Sequence, residues 1–182
     1  MAEPLWIALG VAAVLGFWVL GAYNRLVALR NAVAAAWAQA DEAQRRRGEG
    51  TELLVSALRA PLDGEQGALD ALWSAQAHSA RAAGAMSARP LLATNAQAWA
   101  EAERHLGAAA TRVFALAEGH SDALAGIEAL PGARAAWAEG EQRLRFARQL
   151  YNDAAAAYDG AIAIFPTSVL SPVFGFQAAG RI

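Results

Sequence analysis

Residues 5–22, LWIALGVAAVLGFWVLGA, contain no charged side chain, and nothing else in the sequence constrains the fold as strongly. A run of this length reaches the threshold for crossing the hydrocarbon core of a bilayer as a helix. Trp6 stands near one end, and Trp18 and Tyr23 near the other. At about 1.5 Å per residue, Trp6 to Tyr23 covers roughly 26 Å, close to the thickness of that core. Aromatic side chains at both ends fit the interfacial belts of spanning helices. Leu5, Trp6, Phe17, Trp18 and Tyr23 are therefore expected to form a membrane anchor. The rival reading is a secretory signal, which needs a basic leading region, a shorter apolar core and a small-residue cleavage site. Only Met1, Ala2, Glu3 and Pro4 precede the run, and Leu20-Gly21-Ala22 is a poor cleavage site. Arg25 and Arg30 follow it. The positive-inside rule then places the amino end outside and the remaining chain in the cytoplasm. Two arginines make a short signal, and the reverse topology is the alternative.

Beyond the run, the absence of cysteine excludes disulfides and thiolate metal sites. All fifteen basic residues are arginine, and the net charge of -2 argues against a nucleic-acid partner held by a broad basic surface. Heavy alanine use favours helix throughout. No glycine-proline break follows Ala22, so the helix is expected to continue from Tyr23 to Arg47. Its seam is Leu26, Leu29, Val33, Ala36 and Ala40. Arg45-Arg46-Arg47 with Gly48 reads as a carboxyl end, solvated and capped. Thr51 to Ala60 reads as a short helix stopped by Pro61. Asp63-Gly64-Glu65-Gln66 then reads as a capping box, so the second helix is expected to be broken or kinked near Pro61 to Gly67. Its seam is Leu69, Leu72, Gln76, Ser79, Ala83 and Met86. Thr94-Asn95-Ala96-Gln97 reads as another capping box, opening a third helix with Trp99, Ala102, Leu106, Ala109, Val113 and Leu116 on its seam. A loop with one short turn fills 119–132.

The last helix begins near Pro131 or Ala133, since proline is tolerated in a first turn. Trp137, Gly140, Leu144, Ala147, Tyr151, Ala154, Tyr158, Ile162 and Phe165 follow steps of three and four, and Pro166 stops the helix. The expected fold is all-α: a single amino-terminal transmembrane helix continuing into an antiparallel four-helix bundle with coiled-coil-like seams. The divisions are 1–22 for the anchor, 23–165 for the bundle and 166–182 for an apolar tail. In that tail Val169, Leu170, Val173, Phe174 and Phe176 present too much apolar surface for water. They form a candidate interface with the bundle itself, with a second subunit or with the bilayer.

The residues specify no chemistry. A di-metal bundle needs inward Glu-x-x-His pairs, and the sequence has none. His78, His105 and His120 are scattered, and Glu101 with His105 reads as a surface pair. There is no phosphate loop and no Gly-x-Ser-x-Gly elbow. Asp41, Glu42, Glu139, Glu141, Asp153 and Asp159 have arginines nearby and read as ion pairs on solvated faces. No catalytic residue, metal ligand, cofactor or small-molecule substrate is indicated, and the chain is read as a non-enzyme. The alternative class is an enzyme or metal protein using the bundle core. Tyr151 lies on the seam, so its hydroxyl needs a partner, either in a structural network or at a polar docking site.

Two stretches carry a family resemblance. Tyr23-Asn24-Arg25-Leu26-Val27-Ala28-Leu29-Arg30, directly after the apolar run, resembles the opening of the LemA family of bacterial membrane proteins, and Ala36-Trp37-Ala38-Gln39 through Arg46-Arg47 resembles its continuation. Glu139-Gly140-Glu141-Gln142-Arg143-Leu144, Ala147-Arg148, Tyr151-Asn152-Asp153, Tyr158, Phe165-Pro166 and Gly175-Phe176 fall in that family's order and spacing. The resemblance covers about residues 5 to 47 and 137 to 176. It implies one membrane helix, a four-helix domain, no assigned enzymatic activity, and a place in the bacterial inner membrane with the domain in the cytoplasm. It also implies structural roles for Tyr23, Asn24, Leu29, Arg30, Tyr151, Asn152, Asp153, Phe165 and Pro166. The middle departs: the family's proline-containing segment after the arginines is here Gly50-Thr51-Glu52-Leu53-Leu54-Val55, and its Tyr-Pro after the third helix is Gly119-His120. The expected role is a scaffold whose partners are the lipid bilayer and either further copies of itself or a membrane or stress-response protein.

Overall fold

The computed structural model describes the backbone of residues 3–165, 167–171 and 174–182. Pro166 and Val173, and the side chains of Leu5 and Leu170, lie outside the described residues. The first helix, α1, runs unbroken from Glu3 to Arg59, about 85 Å at 1.5 Å per residue. It is the one described helix long and apolar enough to cross a membrane. Trp6, Phe17, Trp18 and Leu20 are exposed along its first half.

The expected end at Arg47-Gly48 is wrong, and the reason is packing. Gly48 and Gly50 sit inside the helix, where glycine costs about 1 kcal/mol against alanine. They permit close approach instead of capping an end. A Cβ at Gly50 would stand 2.7 Å from the backbone nitrogen of Trp137, and one at Gly48 would stand 2.9 Å from the Gln76 amide nitrogen. The seam begun by Leu26 continues in steps of three and four through Gln44, Arg47, Thr51, Leu54 and Leu58, all buried.

A 3-10 turn at Asp63–Glu65 leads into α2, Gln66–Ala88. The expected break near Pro61 to Gly67 is present, but it is the turn between α1 and α2, since the stretch before it belongs to α1. Neither expected capping box forms, for the starts of α2 and α3 carry no side-chain cap. Gln66 reaches backwards instead, its amide donating to the carbonyls of Arg59 at 2.7 Å and Leu62 at 3.3 Å, which ties off the end of α1. Asn95 likewise donates to the Ala85 carbonyl at 2.8 Å. The remaining elements are α3, Ala93–Gly119, a single turn α4, Ser121–Leu124, then α5, Ala129–Ala163, and a second single turn α6, Thr167–Leu170.

Helices α1 and α5 run antiparallel in close contact. Trp37 meets Tyr151 at 6.2 Å between ring centres. Further along, Arg47 faces Gly140 and Gly50 faces Trp137. A Cβ at Gly140 would lie 2.6 Å from the Arg47 Cα, so two backbones almost touch there. Large side chains fill the wider gap between α3 and α5, with Phe114 edge-on to Trp137 at 4.8 Å. The apolar interior forms two clusters. One, nearer the apolar run, gathers Leu26, Val33, Trp37, Met86, Trp99, Leu144, Tyr151 and Tyr158. The other, at the far end, gathers Leu54, Leu58, Leu69, Leu72, Leu106, Val113 and Leu130. The α5 seam holds from Gly140 to Tyr151, then runs through Ala155, Tyr158 and Ala161 rather than through Ala154, Ile162 and Phe165. Phe165 lies past the helix end and is exposed.

The chain end folds back over the same bundle. Phe176, Ala179 and Gly180 are buried. The Gly180 amide donates to the Leu91 carbonyl at 3.3 Å. A Cβ on Gly180 would stand 2.7 Å from the Ala93 Cα, so this strap lies flat on the start of α3. Asn152 clasps Ile182 in both directions, donating to its carbonyl at 2.7 Å and accepting from its amide at 3.0 Å. Asp159 accepts from the Ala179 amide at 2.8 Å and from Arg181 at 2.9 Å. Removing the clasp with Asn152→Ala is expected to speed amide hydrogen exchange at residues 179–182 while leaving α1 protected. Unchanged exchange there would assign the strap to its contacts with Asp159 and Leu91.

Candidate functional site

Between the two apolar clusters lies a charged layer to which all four long helices contribute. Glu103 of α3 is its centre. Its carboxylate receives a bidentate pair from Arg47 of α1, Nη1 to Oε2 and Nη2 to Oε1, both at 2.7 Å. Ser79 of α2 donates its hydroxyl to Oε1. Arg148 of α5 donates to Oε2 at 3.0 Å. Arg47 also reaches Glu141 of α5 at 3.1 Å. Thr51 folds its hydroxyl onto the Arg47 carbonyl one turn back, at 3.0 Å. The Arg148 guanidinium stacks over Trp99, 4.7 Å from the ring centre, as the aromatic face attracts a cation. Two arginines against two glutamates leave the layer neutral.

Burial sets the electrostatics. It would push the Glu103 carboxyl upward, but the hydrogen bonds and charge of Arg47, with Ser79 and Arg148, outweigh it and hold the group below its usual range. Burial also disfavours charge on Arg47, yet Glu103 and Glu141 raise its pKa overall. At Arg148 burial wins, aided by the like charge of Arg47, and the pKa falls despite the pull of Glu103 and Glu141. A carboxylate has about four acceptor positions, and Glu103 fills four of them within the protein. It is thus held ionised at neutral pH, with no lone pair free to bind a substrate. Among the described residues no group of three His, Asp or Glu side chains is placed to hold a metal ion.

Of the residues singled out from the sequence, Tyr151 is buried and donates to the Pro90 carbonyl at 2.6 Å. Burial pushes its phenol up to about 12. This bond ties α5 to the loop between α2 and α3. Asn152 forms the clasp described above, while Asp153 stays exposed and accepts from Gln149 at 2.8 Å. Tyr23 packs against Phe174 and Phe176, 5.2 and 6.0 Å between ring centres. Leu29 lies partly buried against the first of the two apolar clusters. Asn24 is exposed, and Arg30 is exposed beside a groove lined by Arg89, Thr94 and Tyr158.

The reading of the acidic residues as solvated pairs fails at Glu141, which joins the buried layer. It fits Arg46–Glu42 and Arg143–Glu139, at 2.9 and 2.5 Å on exposed faces. The three arginines are not a solvated helix end, for Arg47 is buried while its two neighbours are not. Glu103 was not singled out at all. Its signal is positional: four residues after Trp99, it occupies a seam slot of α3, as Arg47 occupies one of α1.

A family model described as LemA family matches residues 36–181, which includes the whole charged layer and the strap and excludes the apolar run. Comparison with curated proteins returns no match.

Proposed function

The chain belongs to the LemA family, and from that membership we propose that it acts as a membrane-anchored, non-catalytic helical scaffold, working by self-assembly or by presenting its bundle to a membrane or stress-response partner. The observation that carries this reading is the continuity of α1. One helix is apolar and exposed over its first turns and supplies Arg47 to the buried layer some 25 residues past the apolar run. Anchor and bundle are then one stiff body rather than a domain on a flexible tether. The charged layer supports a structural role, since every ionised oxygen of Glu103 is already engaged. Arg25 and Arg30 support an amino end outside a bacterial inner membrane and a bundle in the cytoplasm.

Alkaline carbonate extraction of membranes holding the full chain tests the anchor: the protein stays in the pellet, and release into the supernatant overturns the reading. Protease added to spheroplasts tests the orientation, with an intact bundle expected and its digestion favouring the reverse. Particle mass after subtraction of bound detergent tests self-assembly. A multiple of 19.0 kDa is expected, and a monomer would leave a different membrane partner as the means of action.

A further inference from the structure

We propose that the carboxyl end of α5 and the turn after it, Ile164, Phe165, Val169 and Phe174, are seated in the same bilayer leaflet as the end of the α1 span, so that the bundle stands in the lipid surface rather than above it. The inference rests on the anchor reading of α1 and adds a second membrane contact to it. Three observations meet here.

The first is height. Phe165 lies 6.4 Å from Trp18, and Phe174 lies 5.2 Å from Tyr23, ring centre to ring centre. Trp18 and Tyr23 close the apolar run, so their neighbours share the depth of its last two turns. Phe165 is 77% exposed, as open as Phe17 in the span itself at 76%, and Val169 is 61% exposed. Large apolar groups left open beside a spanning helix meet acyl chains there, with Trp18 and Tyr23 marking the interface.

The second is charge. Residues 160–180 contain no Asp, Glu, Lys or Arg, an uncharged run as long as the one from 4 to 24 that holds the span. Charges resume on either side of it, with Asp159 and Arg181 paired at 2.9 Å.

The third is backbone satisfaction. A helix that ends in water can leave its last carbonyls to the solvent, whereas one that ends in lipid must satisfy them within the protein. At the end of α5 two side chains take on part of this. The Thr167 hydroxyl contacts the carbonyls of Ala161 at 2.5 Å and Ile164 at 2.7 Å. The Ser171 hydroxyl contacts those of Thr167 at 2.7 Å and Ile162 at 3.3 Å. The Ser168 amide adds a bond to Ile164 at 3.0 Å. Thr167 and Ser171 are themselves buried. Two buried hydroxyls spent on helix-end carbonyls beneath a cap of exposed phenylalanine suit a site where water is absent. The occupant is therefore lipid, not a second copy of the chain.

The absence of cysteine allows single labels. Full-length Phe17→Cys, Phe165→Cys, Val169→Cys and Phe146→Cys variants, spin-labelled, go into vesicles of phosphatidylethanolamine and phosphatidylglycerol. Collision with oxygen, which concentrates in lipid, is compared with collision with a water-soluble nickel chelate. Position 146 is an exposed apolar site on the bundle flank and reports water. The expected result is an oxygen-to-nickel ratio at 165 and 169 that rises to that of position 17 and exceeds that of 146. Ratios at 165 and 169 equal to that at 146, with position 17 in lipid, overturn the seat and leave the anchor standing. Shielding of 165 and 169 from both reagents overturns it in favour of a protein neighbour. A nickel-accessible position 17 overturns anchor and seat together.

Discussion

Glu103→Gln is expected to lower the stability of the bundle by about 3–5 kcal/mol, the range seen when one partner of a buried pair is removed. The amide keeps the shape but leaves Arg47 and Arg148 facing Glu141 alone, with one positive charge uncompensated between two apolar cores. Urea titration of the full chain in detergent, followed by near-UV circular dichroism, reads the loss. Replacing Arg47 and Glu103 together by Met and Leu should recover much of it, because an apolar pair of similar volume leaves no orphaned charge and Glu141 can still meet Arg148. A single variant as stable as the parent would show that the layer is not held by charge.

The same site sets an acid limit. The folded Glu103 carboxyl lies below its unfolded value of 4.5. Its contribution is therefore fully present above that pH and is lost as pH falls toward the folded value. Acid unfolding in the parent should steepen below pH 4.5 and be shallower in Glu103→Gln.

The second large effect is expected at Gly140. Its Cβ position lies 2.6 Å from the Arg47 Cα and 2.8 Å from the Arg47 nitrogen, and backbone cannot rotate away as a side chain can. Gly140→Val must push α1 from α5 and stretch the Arg47 contacts as well. Overpacking typically costs about 1–3 kcal/mol, and the added loss at Arg47 should bring this variant to the top of that range or beyond. Thermal unfolding of the full chain in detergent should show a clear fall. Gly107→Ala and Gly160→Ala are the controls, since nothing stands within 4 Å of either added Cβ. Both should gain up to about 1 kcal/mol from helix propensity. Equal behaviour at all three positions would remove the argument for close helix approach.

How far the sequence discloses this molecule depends on whether a signal is local. The α2 seam is legible residue by residue, because Leu69, Leu72, Gln76, Ser79, Ala83 and Met86 repeat with the period of a helix and are all buried. Gly48 misleads because the same residue serves a helix end and a tight crossing, and only the position of Gln76 separates the two. Arg47 and Glu103 are 56 positions apart, and neither announces the other. Yet a seam extended through Arg47 instead of stopped at Gly48 would have placed a charge inside the bundle and demanded a partner there. Tyr151 is the opposite case. A tyrosine on a seam requires an acceptor, and the Pro90 carbonyl is one.

The unbroken α1 has a mechanical consequence. From Ala22 to Arg59 it extends roughly 55 Å beyond the apolar run, braced along this length by α5. A lever of that length swings its far end by about 10 Å for each 10° change in the inclination of its apolar first part, and spanning helices adjust inclination when bilayer thickness changes. On the anchoring proposed above, the turn between α1 and α2 is the point where a change in lipid thickness would give the largest displacement.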